Sequence, residues 1–177
     1  MKNIGQGGFF MNAQKFTQKS LEAIQQAQDI VLEYQNMQME QQHLLYALID
    51  QEQGLIPELL LKMNVNVEAL KKEVKTSIES LPRVSGPGRE PDKFYVSADM
   101  DKLLIASEKL AENMKDDYVS VEHLFLCLLE SPNNAVKNIL KLFNISKDVF
   151  LKNLVAIRGN TRVTSDSPEG SYDALKK

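Results

Sequence analysis

The fold of this chain is decided by the stretch Glu122-His123-Leu124-Phe125-Leu126-Cys127-Leu128-Leu129-Glu130, which is echoed by Gln42-His43-Leu44-Leu45-Tyr46-Ala47-Leu48-Ile49-Asp50. These stretches hold the only two histidines in the sequence, 80 residues apart, each directly before an apolar run. The same offset aligns other segments without a gap, among them Phe16-Thr17 with Val96-Ser97 and Leu59-Leu60 with Ile139-Leu140. The chain is therefore an internal duplication, and its two copies either share one core or pack as mirrored halves.

Composition places the chain among ordinary globular proteins. It has 177 residues, of which 43% are hydrophobic and 25% charged, enough for one or two small domains with a full core. A net charge of −3 offers no attraction to nucleic-acid phosphates or anionic lipid, so neither partner is expected. The single cysteine, Cys127, excludes a disulfide framework, and no apolar stretch approaches the roughly 20 residues of a membrane helix. These features together predict a cytoplasmic location.

Apolar spacing predicts an all-α fold of two tandem, pseudo-symmetric four-helix repeats. Apolar residues recur at intervals of three and four, and Leu48 and Leu128 occupy equivalent signature positions in the two echoed helices. Thr17, Asn66 and Ser146 each stand where an N-capping residue is preferred. The eight expected helices cover residues 17–34, 41–51, 56–63, 66–80, 97–115, 121–130, 134–142 and 147–157.

The remaining segments set the predicted boundaries. Residues 1–10 are glycine-rich and aperiodic, which favours a leader or cloning scar. The domain then spans 11–159, with repeat one at 11–80, a linker rich in proline and glycine at 81–93, and repeat two at 94–159. Residues 160–177 are polar and are expected to form a flexible connector.

Few residues are candidates for catalysis, metal binding or nucleotide binding. His43 and His123 each lie in the first turn of a helix, where the dipole favours a neutral, hydrogen-bonded structural histidine. A metal site would need further ligands at recognisable spacing, and none is present. Ser120 before His123 is better placed to cap a helix than to act as a nucleophile, and Gly86-Pro87-Gly88-Arg89 lacks the lysine and hydroxyl of a nucleotide-phosphate loop. A helical binding module is favoured over a small hydrolase or a helix-turn-helix regulator, which would need a basic recognition helix.

The echoed stretch resembles a known signature. Residues 122–129 are similar to the Glu-His-Leu-Leu-x-x-Leu-Leu pattern of Clp N-terminal domains, and the likeness extends over both copies, about residues 11–157. Within that family, Lys15-Phe16-Thr17 and the connector 81–86 look most like disaggregases of the ClpB type. Residues 167–177 resemble the lead-in to a first ATPase module.

The resemblance implies a non-catalytic, monomeric domain that binds unfolded or aggregated polypeptide for a homohexameric ATPase working with a co-chaperone. It carries over Thr17, Asp116 and Glu122 as substrate contacts, although capping, a helix dipole or an ordinary loop position would explain each of them. Repeat one departs from the signature, with Gln42 in place of Glu122 and Glu40 in place of Ser120. No cofactor is implied in this segment, because ATP and magnesium would bind in the parent's other modules. Adaptor docking, as in Clp protease ATPases, is the alternative.

Overall fold

The computed structural model describes residues 13–84, 94–159 and 161–169. The predicted leader, most of the predicted linker and the last part of the predicted connector lie outside these residues. In the described part the eight predicted helices are confirmed, and two two-residue strands, β1 and β2, accompany them. The elements are α1 (Gln18–Glu33), β1 (Gln38–Met39), α2 (Gln41–Ile49), α3 (Leu55–Lys62), α4 (Val67–Glu79), β2 (Tyr95–Val96), α5 (Ala98–Asn113), α6 (Val121–Glu130), α7 (Asn134–Leu142) and α8 (Lys147–Arg158).

The helix starts follow the predicted capping chemistry. The side-chain oxygens of Thr17, Asn66 and Ser146 each accept a hydrogen bond from the amide three residues on, at 3.1–3.2 Å. Each bond satisfies one of the amides that a helix N-terminus leaves without an intrahelical partner. The three predicted N-caps are therefore confirmed.

Helix ends repeat at the same offset as the sequence. Gln35 after α1 and Lys115 after α5 both adopt the left-handed conformation, with φ of 55° and 61°. The next amide then bonds back over the helix end, from Asn36 to Val31 and from Asp116 to Ala111, at 3.0 and 2.8 Å. This turn brings Asn36 and Asp116 close to the start of the signature helix that follows in each repeat.

The signature helices α2 and α6 lie at the centre of the molecule and contact each other. Leu48 and Leu128 are completely buried, one in each helix. Helix α1 packs on both α2 and α6, and α3 contacts both α6 and α8, so helices of one repeat cover helices of the other. The two repeats share one core.

Two short backbone pairings cross between the repeats. Met39 in β1 pairs in parallel with Val96 in β2, and Phe16 forms a parallel bridge with Val119. Phe16 is the counterpart of Val96, and Met39 is the counterpart of Val119, at the 80-residue offset. In each repeat, therefore, the segment before the first helix pairs with the other repeat.

The segment after α8 lies against the domain. Residues 161–169, predicted as part of a flexible connector, pack back onto the domain, with Val163 completely buried and the amide of Gln18 donating to the carbonyl of Asp166 at 2.7 Å. The polar composition concealed this docking because only Val163 and the pair Pro168-Glu169 are buried, while residues 164–167 between them are exposed. We call residues 161–169 the tail segment. Among the described residues, no helix has the length and apolarity needed to cross a bilayer.

Candidate binding site at the junction of the repeats

His43 shows how repeat one holds its signature helix. The ring is buried, and its Nδ1 accepts a hydrogen bond of 2.9 Å from the amide of Glu40. An amide can only donate, so the proton must be on Nε2, which lies 2.8 Å from Asn36 Oδ1. Burial is the largest cause that lowers the pKa of His43, to about 4. The neutral ring therefore fastens the start of α2 to the turn after α1.

His123 is held in the same way in repeat two. Its Nδ1 accepts from the amide of Ser120 at 2.9 Å, and its Nε2 donates to Asp116 Oδ2 at 2.7 Å. Ser120 Oγ lies 3.0 Å from the same Nδ1, so serine, histidine and aspartate are connected as in a hydrolase. However, the lone pair of Nδ1 is taken by the Ser120 amide, and both the serine and the histidine are completely buried. This arrangement fastens the start of α6 and does not favour the hydrolase hypothesis.

Asp116 differs from its counterpart Asn36 by carrying a charge inside the protein. One carboxylate oxygen forms an ion pair with Arg158 Nη2 and accepts the amide of Val163 at 2.9 Å. Burial alone would raise the pKa of Asp116, but the hydrogen bonds from His123, the Val163 amide and Arg158 outweigh it and lower the pKa to about 2. The carboxylate is therefore ionised at neutral pH and binds the tail segment directly.

Arg158 is a site residue that the sequence reasoning missed. Its guanidinium is buried, and it contacts Glu122 Oε2 at 3.3 Å as well as Asp116. A third bond of 3.2 Å runs from its Nε to the carbonyl of Thr161 at the start of the tail segment. Arg158 thus links two buried carboxylates to the exit from α8.

A comparison of the two copies would have revealed Arg158. At the 80-residue offset its counterpart is Ile78, while Asp116 and Glu122 correspond to the neutral Asn36 and Gln42. At the equivalent position, repeat one therefore has two side-chain amides and one apolar side chain. The charged cluster Asp116, Glu122 and Arg158 belongs to repeat two only.

Thr17 meets the far end of the tail segment. Its hydroxyl donates to Glu169 Oε2 at 2.7 Å, and the amide of Val121, at the start of α6, lies 3.3 Å from the same oxygen. Burial, followed by the charge of Glu122, raises the pKa of Glu169. Its other oxygen, Oε1, is buried and has no hydrogen-bond partner among the described residues. Glu169 was also missed, since nothing in its local sequence marks it as buried.

The three predicted site residues come together at one place, which we call the seam: the N-terminus of α1, the turn at 115–121 and the start of α6. Thr17, Asp116 and Glu122 are 0%, 6% and 0% exposed, and the tail segment bonds directly to the first two. Their assignment as client contacts stays a prediction, and it requires the tail segment to move away. No cluster of three or more potential metal ligands occurs within residues 13–84, 94–159 and 161–169.

A profile of the Clp repeat (R) N-terminal domain matches residues 15–143. The chain belongs to the Clp repeat N-terminal domain family. This Clp repeat domain is 41% identical over 167 residues to the chaperone protein ClpB of Clostridium tetani and 38% identical to that of Bacillus anthracis. Each match covers 94% of this chain but only 19% of the relative, so the chain spans about a fifth of the length of these chaperones. The expected resemblance to ClpB-type N-terminal domains is confirmed.

Solved structures share the Clp repeat fold. The Hsp104 N-terminal domain from Candida albicans superposes with a TM-score of 0.76 at 22% identity, covering 88% of this chain and 99% of that one. A ClpV N-domain in complex with a VipB peptide gives a TM-score of 0.66 at 17% identity, covering 93% of this chain and 98% of that one. At these identities the likeness concerns the fold alone, and it confirms the all-α class.

Proposed function

We propose that this chain is the substrate-recognition N-terminal domain of a ClpB-like protein disaggregase, and that it binds exposed apolar segments of unfolded or aggregated proteins. Its family and its relatives, which are named as chaperones, support this assignment. The proposal extends to the rest of the parent, a cytoplasmic homohexamer that uses ATP and works with a co-chaperone. On its own the chain would be a monomer that does not hydrolyse ATP, which sedimentation and phosphate release would check.

One observation carries the proposal: the seam holds a segment without regular secondary structure, largely by hydrogen bonds to the main chain of that segment. The amide of Asp117 donates to the carbonyl of Val163, and the amide of Gln18 donates to that of Asp166, both at 2.7 Å. Main-chain bonds of this kind accept many sequences, while a pocket for one side chain supplies preference. A site with these properties suits a domain whose clients share an exposed, unfolded main chain but no common sequence.

Each of the three predicted residues has a role in this proposal. Asp116 would accept a client amide where it now accepts that of Val163, and Thr17 would offer its hydroxyl to a client acceptor. Glu122 would act through Arg158, by keeping the guanidinium beside Asp116. A short apolar segment buries only a few hundred Å², so affinity of one domain would be about micromolar or weaker after ordering costs. Six copies of the domain on a ring would raise the overall affinity for a client by avidity.

The test is a titration of the isotopically labelled chain with a permanently unfolded casein-like protein. The duplication provides an internal control, because Thr17, Asp116 and Glu122 have counterparts in the same molecule at Ser97, Asn36 and Gln42. We expect amide NMR shifts around the first three residues and none around their counterparts. Equal shifts at both sets would overturn the site assignment. No binding at high concentration would favour adaptor docking instead.

A further inference from the structure

The tail segment contacts the seam as a bound peptide would. It is anchored at its start by the carbonyl of Thr161 on Arg158, then by the amide of Val163 on Asp116 and the carbonyl of Asp166 on the amide of Gln18. Its last described residue, Glu169, reaches Thr17. These partners include the residues that the proposed function assigns to a client, so a client and the tail segment cannot occupy the seam together.

Burial along the tail segment shows that it is held at its ends. Val163 is completely buried and Pro168 and Glu169 are buried, but residues 164–167 are exposed. A nine-residue strap with so few buried side chains removes little apolar area from water, so its docking is worth far less than that of a core helix. Opening such a strap is a local event that leaves the shared core intact.

The contact of Glu169 with the seam has both favourable and unfavourable parts. The carboxylate gains the hydroxyl of Thr17 and the amide of Val121, but it lies close enough to Glu122 to feel that charge. Its Oε1 is buried without a hydrogen bond from any described residue, which is costly for a carboxylate. The contact is therefore specific in geometry and weak in net energy, as a displaceable occupant requires.

We propose that residues 161–169 form a tethered latch over the client site, which a client displaces when it binds the seam. This inference rests on the proposed function, because the latch covers the site where that function places the client. The competing partner is an extended polypeptide with an apolar side chain at the place of Val163. Six residues after that apolar side chain, the partner could carry a carboxylate, as the tail segment does at Glu169. This carboxylate would lie at the start of α6, next to the amide of Val121 and the hydroxyl of Thr17.

The latch can be opened by one substitution. Val163→Asp would place a carboxylate in the buried pocket beside Asp116, so it would expel the tail segment without touching the helices. Thr164→Asp is the matched control, since it adds the same charge at the neighbouring exposed position. Glu169→Ala is a second opening variant that removes the anchor on Thr17. Circular dichroism and melting curves would verify that all three chains are folded.

The probe is a fluorescently labelled peptide with the sequence of residues 161–169. A short tether gives the attached tail an effective concentration of about millimolar, which the free peptide must overcome in the wild-type chain. We expect the peptide to bind Val163→Asp at least ten-fold more tightly than wild type or Thr164→Asp, with Glu169→Ala in between. A peptide carrying Asp at the place of Val163 should not bind. Equal binding by Val163→Asp and wild type, or no binding by either opening variant, would overturn the latch.

The unfolded casein-like protein separates the latch from the proposed function. If both are right, the casein-like protein binds Val163→Asp several-fold more tightly than Thr164→Asp. Binding of the peptide but not of casein would keep the latch and remove the proposed function. Binding of casein with equal affinity to both variants, together with no difference in peptide binding, would keep the function and remove the latch.

Discussion

Arg158 occupies the position that corresponds to the apolar Ile78 of repeat one, and it places a buried cation in repeat two. The guanidinium compensates two carboxylates that are themselves buried, Asp116 and Glu122. Removing one member of a buried ion cluster leaves an unpaired charge in a medium of low polarity, at a cost of about 3–5 kcal/mol. Replacing the whole cluster by neutral groups of matching shape is often close to neutral.

This asymmetry gives the first prediction. Arg158→Ile should lower the free energy of unfolding by about 3–5 kcal/mol, because it leaves Asp116 and Glu122 without their cation. Urea denaturation at neutral pH would measure the loss.

A triple variant is the matched control for Arg158. Adding Asp116→Asn and Glu122→Gln to Arg158→Ile copies the set that repeat one already uses, and it should recover most of the lost stability. A triple variant as unstable as Arg158→Ile alone would show that packing, and not the unpaired charge, is what the arginine provides.

The second prediction concerns pH. The pKa of His43 is lowered by burial from 6.5 to about 4, so between these values the unfolded chain binds a proton that the folded chain refuses. Stability from this group is fully present above pH 6.5 and is lost as the pH falls towards 4, by a total of about 3 kcal/mol. Denaturant melts at pH 7 and pH 5 should differ less in His43→Gln than in wild type. An unchanged difference would show that the ring is protonated in the folded state.

Asp116 cannot account for a change in that pH window. Its pKa is lowered to about 2, so its contribution to stability is present above the ordinary value of 3.8 and is lost only below it. Melts at pH 5 and above therefore contain no contribution from Asp116, and the comparison with His43→Gln cancels the contribution of carboxyls with raised pKa values, such as Glu169.

Among the helices, α2 and α6 are expected to contribute most to the stability of the fold, because each is surrounded by helices of both repeats. Leu48→Ala and Leu128→Ala should each lower the free energy of unfolding by about 2–5 kcal/mol, since both side chains are completely buried and their loss leaves a cavity. Leu61 and Leu142 are matched controls on neighbouring helices, at 55% and 63% exposure, and their replacement by Ala should cost under about 0.5 kcal/mol. Denaturant melts giving four similar values would contradict the central position of the signature helices.

The helices were predictable because their signals are local. Apolar spacing, caps such as Thr17 and Asn66, and the duplication itself each constrain a few adjacent residues. The pairings of β1 with β2 and of Phe16 with Val119 were missed because each joins segments distant in sequence that are too short to show a strand pattern.

The candidate site was predictable only in part. Thr17, Asp116 and Glu122 do lie together, as the resemblance implied, yet the first two are bonded to a segment whose composition suggests a loose connector. Glu169 carries no local sign of its contact with Thr17, since that bond spans 152 residues. Arg158 did have a signal in the sequence: its counterpart at the 80-residue offset is the apolar Ile78, and a position-by-position comparison of the two copies shows this contrast.

At the scale of the whole molecule, the exchange of leading segments makes the repeats interdependent. Phe16 precedes the first helix of repeat one but bridges to Val119, while Val96 precedes the first helix of repeat two but pairs with Met39. All four side chains are buried, so neither repeat can complete its core alone. A chain of this kind should unfold in one cooperative transition, unlike two domains joined by a linker.

The last prediction tests this interdependence with Phe16→Ala. The substitution should lower the free energy of unfolding by about 3–5 kcal/mol, as expected for a buried phenylalanine. Because the repeats share one core, the slowest-exchanging amides of α2 and of α6 should lose protection by the same amount, although Phe16 lies in the sequence of repeat one. Native-state hydrogen exchange followed by NMR measures both helices in one sample. Val96→Ala is the pseudo-symmetric control and should likewise affect both helices equally, with a smaller loss because its side chain is smaller. Loss of protection confined to one signature helix in either variant would show that the repeats unfold independently.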